Sequence, residues 1–294
     1  MAMLYDRRLH IPEMGRWCGY NDGYSQIAND TKTMKTRTSL LLAALLALSL
    51  SAFADGPAVS AINGKVSIEG GNFDGNGGQA IQAAIAAPLG NSFGLQLDTA
   101  FGSANSKDFS GFGGHAFWRD PARGLLGVTA STLRYDNLDV RRYGAEAEGY
   151  FGAFTLRGRA GYQNSDWKDG AYYSLGARWY ATQDIMVSVS GERSVNRNIG
   201  HVSAEWQIST PSLPGLALFL DAAKGSNDFD MATVGVRYYF GANKSLIQRH
   251  RQDDPDNLLI EAMTSGQQQY QQRKDAAAAA AVTPACPPMS VACI

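Results

Sequence analysis

Apolar and polar side chains alternate along most of the chain between about residues 64 and 241, and turn residues interrupt the alternation at short intervals. The segment Phe154–Gln163 shows this most clearly. Leu156 and the other even-numbered residues there are mostly apolar, whereas Arg157 and Arg159 fall on the opposite face of an extended chain. A period of two predicts strands whose faces meet different surroundings.

The alternation predicts about twelve strands separated by segments rich in Gly, Pro, Asn and Asp. Their expected positions are near residues 64–70, 79–87, 93–103, 109–119, 124–135, 139–151, 154–163, 171–180, 185–194, 198–208, 215–223 and 230–240. Connections this short favour antiparallel neighbours in an up-and-down order.

Alternation alone suits a soluble β-protein as well as a membrane barrel, and the aromatic residues favour the membrane barrel. If the chain begins in the periplasm, the aromatic residues on the apolar faces gather at two levels. At the periplasmic end we expect Phe93, Trp118, Phe151, Phe154, Trp179, Trp206, Tyr238 and Phe240, and at the opposite end Phe101, Tyr143, Tyr162 and Tyr173. Two aromatic belts around an aliphatic band match a bilayer.

The opposite faces of the same strands are charged. We expect a polar lumen lined by Arg142, Glu146, Glu148, Arg157, Arg159, Arg178, Glu192, His201, Glu205 and Arg237. Glu146 and Glu148 are expected to pair with arginines of the next strand. The predicted fold is therefore an all-β, up-and-down antiparallel transmembrane β-barrel of about twelve strands. The alternative is a soluble barrel whose charged face is its outside.

The N-terminal region has the features of an export signal. Lys35 and Arg37 precede the apolar run Leu40–Leu50, and small residues follow it, so we expect a signal peptide over 34–54. Residues 1–33 are interpreted as a mis-assigned extension, the alternative being an unusually long signal n-region. The barrel is expected over 55–241 and a tail over 242–294.

The last strand carries a motif with a known parallel. Thr233, Gly235, Tyr238 and Phe240 resemble the assembly signal on the final strand of bacterial outer-membrane barrels. The resemblance is to this porin-like class, with no specific member, and implies location in the outer membrane, contact with its lipid and recognition by the barrel-assembly machinery. The signal normally ends the protein, whereas a tail follows it here.

The tail combines low-complexity tracts with one short apolar segment. Residues 267–272 are rich in Gln and 276–281 are all Ala, which favours a mostly disordered periplasmic extension. Residues 258–263 are expected to form at most one short amphipathic helix. The alternative is a docking segment for peptidoglycan or a periplasmic protein. Cys286 and Cys293 are a candidate disulfide.

Composition argues against several chemistries. The net charge of -1 gives no basic field for nucleic acid, and three cysteines cannot make a zinc cluster or disulfide framework. His201 shares its face with Ser203 and Glu205, but a hydrogen-bonding ladder explains the group better than a hydrolase site. His10 and His250 are expected outside the barrel. We therefore predict no catalytic site, no cofactor and no metal.

A barrel of twelve strands is intermediate in width between filled eight-stranded barrels and open porins. The leading expectation is a narrow passive channel for small polar or charged solutes, with a mild anion preference arising from its lumenal arginines. A structural or tethering barrel with a closed lumen and a partner-binding periplasmic tail is the main alternative. A hydrolase at the barrel rim is the third.

Overall fold

The computed structural model describes residues 56–195, 197–208, 210, 212–253 and 255–282. The predicted extension over 1–33, the signal peptide over 34–54 and the two cysteines of the tail lie outside the described residues. The described part of the chain forms twelve strands followed by two helices.

All twelve predicted strands are confirmed, most with slightly wider bounds. The strands are β1 Asn63–Phe73, β2 Asn76–Leu89, β3 Phe93–Ala104, β4 Lys107–Asp120, β5 Gly124–Tyr135, β6 Leu138–Phe151, β7 Phe154–Ser165, β8 Gly170–Tyr180, β9 Ile185–Ser194, β10 Arg197–Gln207, β11 Leu216–Gly225 and β12 Asp230–Tyr239, and the helices are α1 Leu246–Gln252 and α2 Leu259–Val282.

Each strand pairs antiparallel with its neighbours in sequence, and β1 pairs with β12 to close the barrel. Closure leaves no unpaired sheet edge, which a strand structure in lipid requires. We call the end of the barrel that holds Asn63 and Tyr239 the terminal rim. The opposite end, which holds the turn after β1, is called the far rim.

The first hairpin is longer than the sequence indicated. Its predicted glycine-rich turn is mostly strand, and the reversal is confined to Asp74 and Gly75, at φ values of 58° and 81°. A Cβ at Gly71 would collide with the carbonyl oxygen of Ala232 on β12. Glycine therefore serves here to bring two strands close together rather than to end them.

The exterior of the barrel carries the expected aromatic belts and aliphatic band. Leu175 and Val234 expose 72% and 67% of their surface, although both are aliphatic and lie within strands. Exposed aromatic side chains near the terminal rim are Phe93, Phe151, Phe154, Trp179, Trp206 and Phe240, and those toward the far rim are Phe101, Tyr143, Tyr162 and Tyr173. A continuous apolar exterior of this kind requires lipid, so the barrel is a transmembrane barrel.

The motif on the last strand divides between the two faces of the barrel. Thr233 is buried in the lumen and donates a hydrogen bond to Glu69 (3.0 Å), and Gly235 shares its face. Tyr238 and Phe240 form an edge-to-face pair with ring centroids 5.0 Å apart. The role of the motif in assembly stays a prediction.

The tail differs most from expectation, because residues predicted to be mostly disordered and periplasmic form α1 and α2, and α1 and the first part of α2 are buried inside the barrel. Leu246, Leu259 and Met263 are fully buried. His250, predicted to lie outside the barrel, is buried among lumenal side chains. Among the described residues, no helix is both long and apolar enough to span a membrane.

Candidate functional site

The lumen holds the C-terminal part of the chain, and we call the described residues 244–253 and 255–282 the plug. At the terminal rim, the backbone N–H of Ile247 donates to the carbonyl of Gln183 in the turn after β8 (3.1 Å). At the far rim, Arg273 of α2 donates to Asn137 in the turn after β5. Because these two turns lie at opposite ends of the barrel, the plug runs through the lumen from rim to rim.

Helix α1 is anchored at the terminal rim by His250. Its imidazole lies between two tyrosine hydroxyls, with Nδ1 3.1 Å from Tyr180 and Nε2 3.0 Å from Tyr239. Burial lowers the pKa of His250 well below its ordinary value, and the nearby Arg178 and other cations lower it further. The imidazole is therefore neutral and bridges β8 to β12.

Three arginines on one wall form the centre of the site, and we call Arg157, Arg159 and Arg178 the arginine cluster. Arg157 and Arg159 lie two residues apart on β7 and so face the same way, while Arg178 projects from the adjacent β8. All three guanidiniums contact the carboxylate of Asp256 in the plug, Arg159 at 3.3 Å. One plug carboxylate thus bridges three cations.

Other carboxylates complete the charge balance of the cluster. Glu261 of α2 pairs with Arg159 at 2.8 Å. From the wall, Glu146 lies 3.8 Å from Arg159, and Glu148 lies 3.8 Å from Arg178. Among the described residues, the wall therefore supplies two of the four carboxylates within 4 Å of the cluster and the plug supplies the other two.

The predicted pairing between β6 and β7 is only partly right. Glu146 faces Arg159 and Glu148 faces Arg157 in the strand register, as expected. However, the ion pair of Arg157 is formed with Asp256 instead. The sequence could not show this, because the plug lies nearly a hundred residues further along the chain.

The remaining predicted lumen residues also point inward, and they pair within the wall. Arg142 pairs with Glu192 at 2.7 Å, and Arg237 pairs with Glu205 at 2.6 Å. His201 lies 3.4 Å from Asp221. Each of these pairs joins two residues of the wall.

The residues weighed as a hydrolase site do not converge. Ser203 exchanges a hydrogen bond with Ser188 (2.7 Å), whereas Glu205 engages Arg237 and Tyr239. His201 is directed to Asp221 instead. Within the described part of the chain, no group of three or more His, Cys, Asp or Glu residues is placed to hold a metal ion.

Sequence reasoning missed a buried hydrogen-bonded group across three strands. His115 lies between two carboxylates, with Nδ1 2.8 Å from Glu146 and Nε2 2.9 Å from Asp98. The available signal was that all three residues occupy inward positions on strands β3, β4 and β6. The group holds Glu146 in place beside the arginine cluster.

The lumen near the far rim is apolar, which the sequence analysis also missed. Leu259, Ala262 and Met263 follow helical spacing and pack in a cluster with inward residues of the wall, among them Phe73, Phe109, Leu133, Tyr135, Phe229 and Met231. Burying a side chain as large as Leu259 or Met263 contributes about 1.5–3 kcal/mol. The apolar residues at inward positions close to the turns of the far rim were the signal in the sequence that could have revealed this binding surface for α2.

A polar cavity of about 140 Å³ remains between the plug and the wall formed by β7–β12, β1 and β2. Its lining includes Glu69, Gln82, His201, Ser203, Asp221 and Arg237. The cavity has room for several waters, since one water needs about 10–15 Å³ of such space. The plug therefore does not pack tightly against this side of the barrel.

Comparison with known proteins gives no family assignment by sequence, since no protein-family model and no curated protein matches the chain. Among solved structures, a KdgM porin is 12% identical with a TM-score of 0.47, covering 60% of this chain and 99% of its own. The outer membrane protein Omp33 of Acinetobacter baumannii is 12% identical with a TM-score of 0.43, covering 61% of this chain and 98% of its own.

The translocator domain of the autotransporter NalP from Neisseria meningitidis is 13% identical with a TM-score of 0.42, covering 72% of this chain and 98% of its own. Likenesses at this level carry no functional argument. The closed ring of twelve strands and the outward apolar band are observed directly in the structure of this chain. On that basis the chain is a closed, twelve-stranded transmembrane β-barrel.

Proposed function

We propose that the protein is an outer-membrane channel for small anionic solutes, closed in the state described by its own C-terminal plug. The observation that carries this proposal is the contact of Asp256 with all three guanidiniums of the arginine cluster. A carboxylate already occupies the place in the lumen where a solute anion would bind.

The charge balance supports an anion preference once the plug leaves. Without Asp256 and Glu261, the carboxylates of the described residues that stay within 4 Å of the three guanidiniums are those of Glu146 and Glu148. The other pairs of the wall, such as Arg142 with Glu192, stay neutral. The vacated lumen would therefore carry one excess positive charge beside the cluster, which attracts anions.

The contacts between the plug and the wall favour reversible rather than permanent closure of the lumen. Much of it consists of ion pairs and amide hydrogen bonds, which water and solute ions can replace. Neither amide atom of Gln267 has a hydrogen-bond partner among the described residues, although the side chain is buried. An unpaired buried polar atom costs about 1–3 kcal/mol, so the Gln-rich part of α2 is bound less tightly than its apolar start.

The test is conductance in planar bilayers. We expect the full-length protein to be closed most of the time, and a chain ending at Asn243, which lacks the plug, to conduct steadily and to select anions. Replacing the three arginines of the cluster with Gln in the shortened chain should abolish the anion selectivity. Arg141→Gln is the matched control, because Arg141 is exposed and lies outside the cluster.

A closed structural barrel is the second candidate, and the filled lumen is the observation that favours it. The same recordings separate the two functions. A shortened chain that migrates as a folded, heat-modifiable barrel but does not conduct would contradict the channel and support the structural function.

A further inference from the structure

The contacts of α2 follow one another toward the far rim in the order of the sequence. Ser265 lies 3.5 Å from Ser194, the last residue of β9, and Gln268 accepts a hydrogen bond from Arg197 at the start of β10 (3.0 Å). Tyr270 then packs edge-to-face on Tyr135, the last residue of β5 (5.6 Å between ring centroids). All three wall residues border turns of the far rim, so the helix leads out of the barrel there.

The last part of the described helix is exposed to solvent. The side chains of Lys274 to Ala281 are all exposed. The 24 residues of α2 make a helix about 36 Å long, enough to reach from mid-lumen past the rim. The chain thus enters at the terminal rim and emerges at the other end.

We infer that the barrel conducts its own C-terminal segment across the membrane and displays residues 274–281 on the side opposite the ends of β1 and β12. If those strand ends face the periplasm, the displayed segment is at the cell surface. This inference does not depend on the proposed channel function, because a barrel that never conducts solutes could still hold its tail in this way.

The chemistry of the tail explains why it crosses inside the barrel. Asp256, Glu261 and Arg273 are charged, and transferring such groups through lipid is strongly unfavourable. In the lumen each of them has a polar partner on the wall. The wall therefore provides a polar path through the membrane for this segment.

A tail that entered and left by the same rim would give a different pattern. Its end would contact the turns that contact α1, such as the one containing Gln183 and Asp184. Instead, Arg273 contacts the turn after β5 at the other end. The direction of the described tail residues thus fixes the side on which the helix ends.

Sidedness can be tested by cysteine labelling of the full-length protein in intact cells. The background replaces Cys18, Cys286 and Cys293 with Ser. The probe is a large polyethylene-glycol maleimide, which does not cross the outer membrane and shifts the labelled protein on a gel. Folding of each variant is checked by heat-modifiable migration.

Single cysteines are then placed at three exposed positions. Ala278→Cys reports on the displayed helix, Lys168→Cys on the far rim and Asn91→Cys on the terminal rim. We expect Ala278→Cys and Lys168→Cys to be labelled under the same condition, with Asn91→Cys labelled under the other. The two conditions are labelling in intact cells and labelling that appears only after the outer membrane has been permeabilised.

The comparison needs no assumption about which rim faces outward. Labelling of Ala278→Cys together with Asn91→Cys, and not with Lys168→Cys, would overturn the inference. That result would leave the conductance test unaffected, so the two proposals fail separately.

Discussion

Among single residues, Asp256 is the one plug residue described that contacts every guanidinium of the arginine cluster. Its carboxylate is shared by Arg157, Arg159 and Arg178, and it lies between the two helices of the plug. Removing its charge leaves three guanidiniums facing one another across a partly buried space. The energetic consequence is a weaker plug rather than a weaker barrel, because the strand pairing does not involve this residue.

We therefore predict that Asp256→Asn shifts the plug toward its undocked state by about 2 kcal/mol, or roughly thirtyfold, since breaking a buried ion pair is costly and a partly hydrated lumen reduces the effect. A cysteine at Ser265, which is buried in the docked plug, should react faster with a small soluble maleimide by that factor. Asp275→Asn, in the exposed part of α2, is the control. Equal rates in the two variants would contradict the assigned role.

The residues of the wall could largely be read from the sequence, whereas their partners in the plug could not. Alternation puts Arg159 inward, and the hairpin register puts Glu146 opposite it, because both are local properties of adjacent strands. Asp256 meets the cluster through the path of a long tail, which no local pattern encodes. The same applies to His250, whose two tyrosine partners lie on strands far apart in sequence.

Among the elements, α1 depends on a neutral histidine. His250 faces titratable or charged groups from several strands, namely Lys65, Arg157, Arg178, Tyr180, Glu205, Arg237 and Tyr239. Glu205 lies 3.8 Å from Nε2, but it is held by Arg237 and Tyr239. The cations and burial therefore dominate, and they lower the pKa of His250 in the docked state.

This gives a pH dependence with a definite sign. The docked imidazole stays neutral, whereas the imidazole of an undocked plug takes up a proton near its ordinary pKa of 6.5. Docking is therefore complete above pH 6.5 and weakens as the pH falls below that value, because protonation favours the undocked state. We predict more frequent channel openings of the full-length protein under mildly acidic conditions. His250→Gln should remove this dependence, and an unchanged acid response in that variant would refute the explanation.

The strands were predictable because each carries its own alternation, whereas the sequence predicted only a short helix over 258–263, which overlaps the start of α2, and did not predict α1 or the length of α2. Helix α2 contains a Gln-rich and an Ala-rich tract, with buried apolar residues mainly in its first two turns. Read alone, such a segment lacks a continuous apolar face and suggests disorder. Contacts in the lumen stabilise the helix: its first two turns pack on apolar residues of the wall, and the following residues form polar contacts with the wall.

At the scale of the whole molecule, the same strands have one face in contact with lipid and the other face in a polar lumen. The outward face must be apolar because it meets lipid, and the inward face carries charges that need partners. Pairs within the wall satisfy some of these charges, and the plug satisfies those of the arginine cluster. A barrel of twelve strands is wide enough to hold the two helices, whereas the interior of an eight-stranded barrel is filled by its own side chains.

The most direct test of this account is a disulfide between the plug and the wall. The hydroxyls of Ser194 on β9 and Ser265 on α2 are 3.5 Å apart in the lumen. In a background without the native cysteines, we predict that Ser194→Cys with Ser265→Cys oxidises readily in the folded barrel. Cysteines at Ser194 and Ala278 should not, because Ala278 lies roughly 20 Å further along the helix. Failure of the first pair to cross-link in a heat-modifiable barrel would contradict the presence of the plug in the lumen.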